Sequence, residues 1–251
     1  MTSLVQLAEL THVEAQGLLA RGAVALWPVG ATESHGPHLT LGTDVIIAEH
    51  TCQAAAPMIA EELGLSSLAL PPLALSVTEY AAPFSGTISV SKEAATLYVR
   101  DVLRSTARQG FKAVCLVNAH LEPAHRFSLR DAVKGLGPTE CPVALADPCD
   151  KRWVPELTEE FQSGSCHGGQ YETSLVMAAR PDRVRDQTRR RLPEVDIDLI
   201  GAMQRGQSDF KQMGADSSYF GRPSAATVSE GQATYQVLGS IVLRVLQEAI
   251  S

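Results

Sequence analysis

Four short apolar runs, at 23–29, 66–70, 113–117 and 142–146, are separated by stretches long enough for a helix. This alternation limits the fold of the 251-residue chain more than any other feature. Runs of that length without polar alternation are typical of strands buried on both faces. The intervening stretches carry helix punctuation. Thr11-His-Val-Glu14 has the spacing of a capping box and opens a helix ending at Arg21-Gly22. A second helix runs from Asp44 to Glu62 and is stopped by Leu63-Gly64, and Ser91 caps a third that reaches Gln109-Gly110. Helical patterns at 124–134, 169–179 and 235–250 complete the set. Strands alternating with helices imply right-handed crossover units. The expected fold is therefore α/β, a three-layer α/β/α sandwich with a mostly parallel central sheet, formed by residues 1–251 as one domain.

Charge and composition remove several functions. The 21 Lys+Arg against 28 Asp+Glu leave a formal charge of −7, which offers no broad basic footprint for nucleic acid or anionic lipid. No apolar run approaches the roughly 18–20 residues of a membrane span, and the first ten residues lack the basic and apolar blocks of a secretory signal. The five cysteines are odd in number and scattered, so neither a disulfide framework nor a structural zinc knot is expected. A reduced, cytoplasmic protein is the expectation.

In open α/β sheets, ligands gather at the carboxyl ends of the strands. After the run at 23–29 comes Gly30-Ala-Thr-Glu33-Ser-His35-Gly-Pro-His38, followed by Asp44; after 113–117 comes Asn118-Ala-His120-Leu-Glu122. Two strand ends thus each supply imidazole and carboxylate to the same edge of the sheet. His120 and Glu122 share one face if the chain stays extended there. Nitrogen and oxygen donors without thiolate suit Zn or Mn, and this many donors exceed the needs of one catalytic ion. A pair of metals bridged by a carboxylate is the natural use. Taken singly, each strand-end histidine reads more readily as a capping or solvated group than as a ligand. His38 and His125 fall outside the pattern and are expected to be structural, and His12 and His50 to lie on helix surfaces. A third cluster, Cys166-His167-Gly168-Gly169-Gln170-Tyr171-Glu172, allows close backbone approach at its glycines and opens a helix. Without context it reads as a turn followed by an exposed glutamate.

Together the clusters resemble the creatininase (creatinine amidohydrolase) family. In that family a Pro-x-Gly-x-x-Glu-x-His-Gly-x-His segment, a downstream Asp, an Asn-Gly-His segment and a His-x-Gly-x-x-Glu-Thr-Ser segment recur in order. Here they stand as Pro28 to His38, Asp44, Asn118 to Glu122 and His167 to Ser174, and Phe84-Ser-Gly-Thr87 echoes a Phe-Pro-Gly-Thr element. The resemblance implies Glu33, His35, Asp44, His120 and Glu122 as ligands of two divalent ions, with Asp44 bridging. One ion would take Glu33 and His120, the other His35 and Glu122. A metal-bridging hydroxide would attack the amide carbon, His167 would act as general acid/base, and Glu172 would orient or assist it. Cys115 and Cys166 are expected to be packing residues.

The departures concern the pocket. Glu79-Tyr80 is offset from the family's Glu-His, Ser85 replaces Pro, Ala119 replaces Gly, and Pro123 stands at a commonly polar position. Ser163-Gly-Ser165 occupies the place of a tryptophan, and Trp153 lies further upstream. These changes imply metal chemistry retained in a rebuilt pocket. The expected substrate is a small-molecule amide other than creatinine, or alternatively a modified peptide trimmed in natural-product or cofactor maturation. A non-catalytic metal-binding scaffold is the alternative of another class. The family implies a homo-oligomer, often a hexamer. Residues 189–223, beyond the motifs, are expected to form a solvated loop rather than a lid or subunit contact.

Overall fold

The computed structural model describes residues 4–139 and 141–251. Its strands are β1 (Val5–Gln6), β2 (Ala23–Val29), β3 (Ser66–Ala69), β4 (Ala113–Asn118) and β5 (Val143–Ala146). They form a single parallel sheet in the order β1-β3-β2-β4-β5. The longer helices are α1 (His12–Ala20), α2 (Thr43–Leu63), α3 (Lys92–Ala107), α4 (Pro123–Lys134), α6 (Gln170–Ala179) and α9 (Val228–Ile250). Shorter ones are α5 (Glu159–Ser163), α7 (Asp186–Arg189) and α8 (Leu199–Gln204). The expected three-layer sandwich is the fold.

Side-chain alternation along the central strands assigns the layers. Val24 and Leu26 of β2, with Cys115 and Val117 of β4, face a core shared with α2, α6 and α9. Ala25, Trp27, Val114 and Leu116 face the opposite core, which Val99, Leu103 and Leu129 from α3 and α4 complete. Burial on both sides explains why these strands read as unbroken apolar runs. Cys115 and Cys166 are fully buried thiols that burial pushes above their usual range, as expected of packing residues.

The local signals account for most helix ends. Thr11 and Glu14 form the reciprocal capping box, and the Ser91 side chain accepts from Ala94 N. The last helix departs from expectation, because it begins at Val228 rather than near 235. Thr227 accepts from Glu230 N at its start, a cap hidden in the sequence by polar first-turn residues. His50 is half-buried, its ring 6.0 Å from that of Tyr235, and is not a surface group. Among the described residues no helix is long and apolar enough to cross a membrane.

Residues 189–223 correct the solvated-loop expectation. Phe210, Met213 and Phe220 pack with Ala81 and Ala202 into a third apolar cluster, and Arg189 is buried, donating to the carbonyls of Pro223 and Ser224. Phe210 and Phe220 are both buried in this cluster, although the Gly, Ser and Asp between them read as loop.

Candidate metal centre

The segment after β2 reaches the start of α2 with almost no space between them. A Cβ on Gly30 would lie 2.8 Å from the backbone of Asp44, so only glycine lets this strand end approach the helix. Asp44 therefore sits in the first turn of α2, facing the carboxyl ends of β2 and β4.

Two imidazoles converge on Asp44, each held from behind by a carbonyl. His35 Nδ1 donates to Glu33 O at 3.2 Å, and His120 Nε2 donates to Val77 O at 2.9 Å. Since a carbonyl only accepts, the opposite nitrogen of each ring carries a lone pair. His35 Nε2 lies 3.0 Å from Asp44 Oδ1, and His120 Nδ1 lies 3.0 Å from Asp44 Oδ2. One carboxylate thus faces two imidazoles through its two oxygens. Glu33 Oε1 stands 3.2 Å from His120 Nδ1 and 3.6 Å from His35 Nε2, and its other oxygen accepts from the Thr78 hydroxyl. Glu172 Oε2 is 3.5 Å from His35 Nε2.

The donors form three overlapping triads, two of which share Asp44: Glu33, Asp44 and His120, and His35, Asp44 and Glu172; the third is Glu33, His35 and His167. All five side chains of the two that share Asp44 are buried. Neither oxygen of Asp44 nor His35 Nε2 has a hydrogen-bond partner among the described residues. Acceptors facing acceptors at 3 Å in a dry site need a cation between them. The residues therefore fit a pair of divalent ions. Without such ions protons fill the role. Burial opposes charge on His35, yet Asp44, Glu172 and Glu33 together push it up to about 10. His120 is raised in the same way by Glu33 and Asp44 against burial. Asp44, despite burial, is held far below the carboxylate range by His35 and His120.

The geometry changes the partner expected for His35. Glu122 belongs to none of these triads; Glu172 takes its place beside His35. β4 ends at Asn118, so regular strand geometry does not carry through to Glu122, although His120 and Glu122 both line one cavity. Glu122 becomes the N-cap residue of α4, and its carboxylate accepts from Glu79 N and Tyr80 N at 3.2 and 3.1 Å. Burial outweighs His120 and these amides and pushes Glu122 up to about 7.

Nor does Glu172 orient His167 directly. Its Oε2 accepts from Gly168 N at 2.6 Å, so it fixes the loop behind the ring. Gly168 has φ +62°, and a Cβ there would meet Tyr219 and the His35 carbonyl, so this loop requires glycine. His167 Nε2 donates to Ser34 O at 2.8 Å, leaving the Nδ1 lone pair 3.8 Å from Glu33 Oε1. The ring stacks on His35 at 4.3 Å and meets Phe210 at 4.5 Å. Burial and the neighbouring His35 lower His167 to about 4.

Support behind the ligands was only partly legible. His125 is fully buried: Ser76 Oγ donates to its Nδ1 at 2.6 Å, and its Nε2 donates to Asn118 Oδ1 at 2.9 Å. Asn118 in turn receives His120 N and donates to His120 O, so this chain of bonds sets the His120 loop. His38 bonds Thr173 Oγ1 at 2.9 Å and, like His125, is structural. The adjacency of Asn118 to His120 was a usable signal for this network; nothing in the sequence marked Thr78 or Ser76.

A cavity of about 290 Å³ opens onto the centre. Its polar floor is Glu33, Asp44, His120, Glu122, His167 and Glu172, and its walls include Tyr80, Leu121, Phe161, Leu199, Met203 and Phe210. Trp153 is not among these residues; it is buried between Arg152 and Arg244, whose guanidinium carbons lie 4.5 and 4.3 Å from its ring.

Known proteins resemble this chain over most of its length. The family model described as creatininase, creatinine amidohydrolase, matches residues 8–246. A creatinine amidohydrolase of Pseudomonas putida is 29% identical over 202 residues, covering 73% of this chain and 75% of its own. A mycofactocin precursor peptide peptidase of Mycobacterium tuberculosis is 30% identical over 216 residues, covering 84% and 79%. A crystal structure of creatinine amidohydrolase superposes with TM-score 0.74 at 25% identity, covering 99% of both chains. Further solved creatininases of this fold are described as a manganese form and a zinc–zinc form.

Proposed function

The chain belongs to the creatininase family, and from that premise we propose that it is an amidohydrolase whose centre holds two divalent ions, Zn or Mn. The observation that carries this reading is the Asp44 carboxylate, whose two oxygens each face an imidazole lone pair with no hydrogen-bond donor among the described residues. Glu33 and His120 would hold one ion, His35 and Glu172 the other, with Asp44 shared. When bound, the pair would polarise the amide carbonyl and acidify a neighbouring water.

The chain's own residues handle the protons. His167 presents an Nδ1 lone pair over the floor because Ser34 O fixes its other nitrogen as donor. It accepts a proton as water attacks and returns it to the leaving nitrogen. Glu122, whose carboxyl burial pushes up to about 7 and which lines the same cavity, is the second proton carrier. This gives Glu122 the assisting role first expected of Glu172, and Glu172 the ligand role first expected of Glu122. Phe210 and Phe220 cover His167 and exclude bulk water.

The substrate is an amide with an apolar body. The cavity walls are largely apolar, and Trp153 is committed to its two arginines rather than to a ligand. A modified peptide is the second reading, favoured by the extent of the match to the mycofactocin precursor peptide peptidase. The test is chelation, reconstitution with Zn or Mn, and assay against creatinine, simple formamides and short modified peptides. Metal-dependent release of an amine from a non-creatinine amide is the expected result. Failure to take up metal, together with no hydrolysis of any amide, would overturn the proposal and favour a scaffold.

A further inference from the structure

One guanidinium in the cavity wall has no part in the proton chemistry. Arg126 lies one turn into α4, its backbone N donating to Glu122 O at 3.0 Å. Its Nε donates to Asp147 Oδ1 and Oδ2 at 3.1 and 3.0 Å, and its Nη2 reaches Asp147 Oδ2 at 3.0 Å and Cys149 O at 3.2 Å. Nη1 makes no hydrogen bond among the described residues.

Asp147 is buried and is not Arg126's alone. Arg130 Nη2 donates to Asp147 Oδ2 at 2.9 Å, and Cys149 N donates to Oδ1 at 3.2 Å. Two guanidiniums share one carboxylate, which leaves an excess positive charge at the cavity wall. The neighbouring Asp150 is engaged by Arg152, through its N at 3.0 Å and its Nη2 at 3.5 Å. Pairing Asp147 does not require both arginines, and Arg126 is the one of the two that lines the cavity. Among the described lining residues it is also the sole Lys or Arg, beside four carboxylates. Three of those, Glu33, Asp44 and Glu172, are the proposed metal ligands, and the fourth, Glu122, accepts from Glu79 N and Tyr80 N, so Arg126 is left as the fixed receptor for an anion. A guanidinium whose plane is already set by a buried carboxylate loses little freedom on binding a second one.

We infer that Arg126 selects substrates bearing a carboxylate, so that the preferred substrate is an acylated amino acid or similar acid, its apolar part lying against Leu121, Val154, Phe161, Leu199, Met203 and Phe210. This rests on the amidohydrolase reading and names the substrate class for that site. Phe210 belongs to the cap and Arg126 to α4, so the acid and the apolar group are recognised by different parts of the molecule.

The test uses the metal-reconstituted full chain and two probes differing only in charge: N-benzoylglycine and its carboxamide, N-benzoylglycinamide. Calorimetric titration of wild type should show the acid binding about tenfold or more tighter than the carboxamide. In Arg126→Gln that ratio should fall to near one, and Arg126→Lys should retain part of it. A pairing role toward Asp147 alone would leave the ratio unmoved. A ratio unchanged in Arg126→Gln would mean that the metals or another group take the carboxylate, and would overturn the inference. So would a wild type that shows no preference or binds neither probe. Should Arg126→Gln fail to fold, wild type against Arg126→Lys still decides, because a selective guanidinium predicts a lowered ratio in the lysine variant. Metal content and amide turnover are recorded on the same samples: their absence counts against the amidohydrolase reading, whereas the binding ratio reports on Arg126.

Discussion

The floor and the cap of the cavity are built on opposite principles. The floor is polar and, His167 apart, buried, and its histidines are pinned from behind, by Glu33 O for His35, Val77 O for His120 and Ser34 O for His167. The cap, from α8 to Phe220, is apolar, made of short elements, and held by Phe210 packing on Phe220 and His167. Side chains whose second nitrogen is bonded to backbone can turn only if the fold moves. Aromatic rings in a small cluster can exchange for other shapes at modest cost. The difference teaches that, on the proposed reading, chemistry and selectivity are separable: the floor would determine which bond can be broken, and the cap, with Arg126, which molecule presents it.

The largest effect expected from disturbing this division is at the shared ligand. Asp44→Asn removes the one carboxylate shared by the two proposed ion sites, and elemental analysis should find both ions lost, with turnover reduced by about 10⁴ or more, as expected when metal-assisted chemistry is removed. Next is His167→Asn, which should keep both ions and lose roughly 10²–10⁴ in kcat, the usual contribution of a positioned acid/base. Should that variant lose metal instead, His167 would belong to the ligand set. In the cap, Phe210→Ala should leave metal content intact and lower kcat/KM about tenfold, mainly through KM. Its stability cost of about 3 kcal/mol, in the range for buried aromatic truncation, should be confined to residues 195–221 in hydrogen exchange. A loss of metal in this variant would show that floor and cap are one unit.

The remaining effect is on pH-dependent stability. Without metal, His35 is raised from 6.5 to about 10 by its carboxylates, working against burial, and burial raises Glu172 from 4.5 to about 8. A group whose pKa is raised on folding adds stability below its unfolded value and loses it as pH climbs through the folded one. The metal-free protein should therefore unfold at progressively lower temperature from pH 6.5 to 10, while the metal-loaded protein changes much less. Metal affinity should rise over the same window, since each ion displaces protons. A flat melting curve for the metal-free protein would contradict the proton-held floor.

The floor was legible in sequence because strand ends in a parallel sheet meet at one edge, and Glu33, His35, Asp44 and His120 all follow or face such ends. The proposed exchange of roles between Glu122 and Glu172 rests on the turn at 119–122, which depends on where β4 stops and α4 starts, and apolar periodicity does not resolve that. His125 is structural, as its place outside the motif pattern implies, but spacing does not reveal its bond to Asn118. The cap was missed because its contacts join residues far apart in sequence, as Ala81 does with Phe210 and Phe220, and no local pattern carries such pairing.

The exchange of roles between those two glutamates is the central claim, and metal stoichiometry tests it most directly. Wild type, Glu172→Gln and Glu122→Gln are to be purified and reconstituted identically, and their Zn or Mn measured per chain by elemental analysis. Two ions in wild type, one in Glu172→Gln and two in catalytically impaired Glu122→Gln are predicted. One ion in Glu122→Gln, with two retained in Glu172→Gln, would contradict the assignment and return Glu122 to the side of His35.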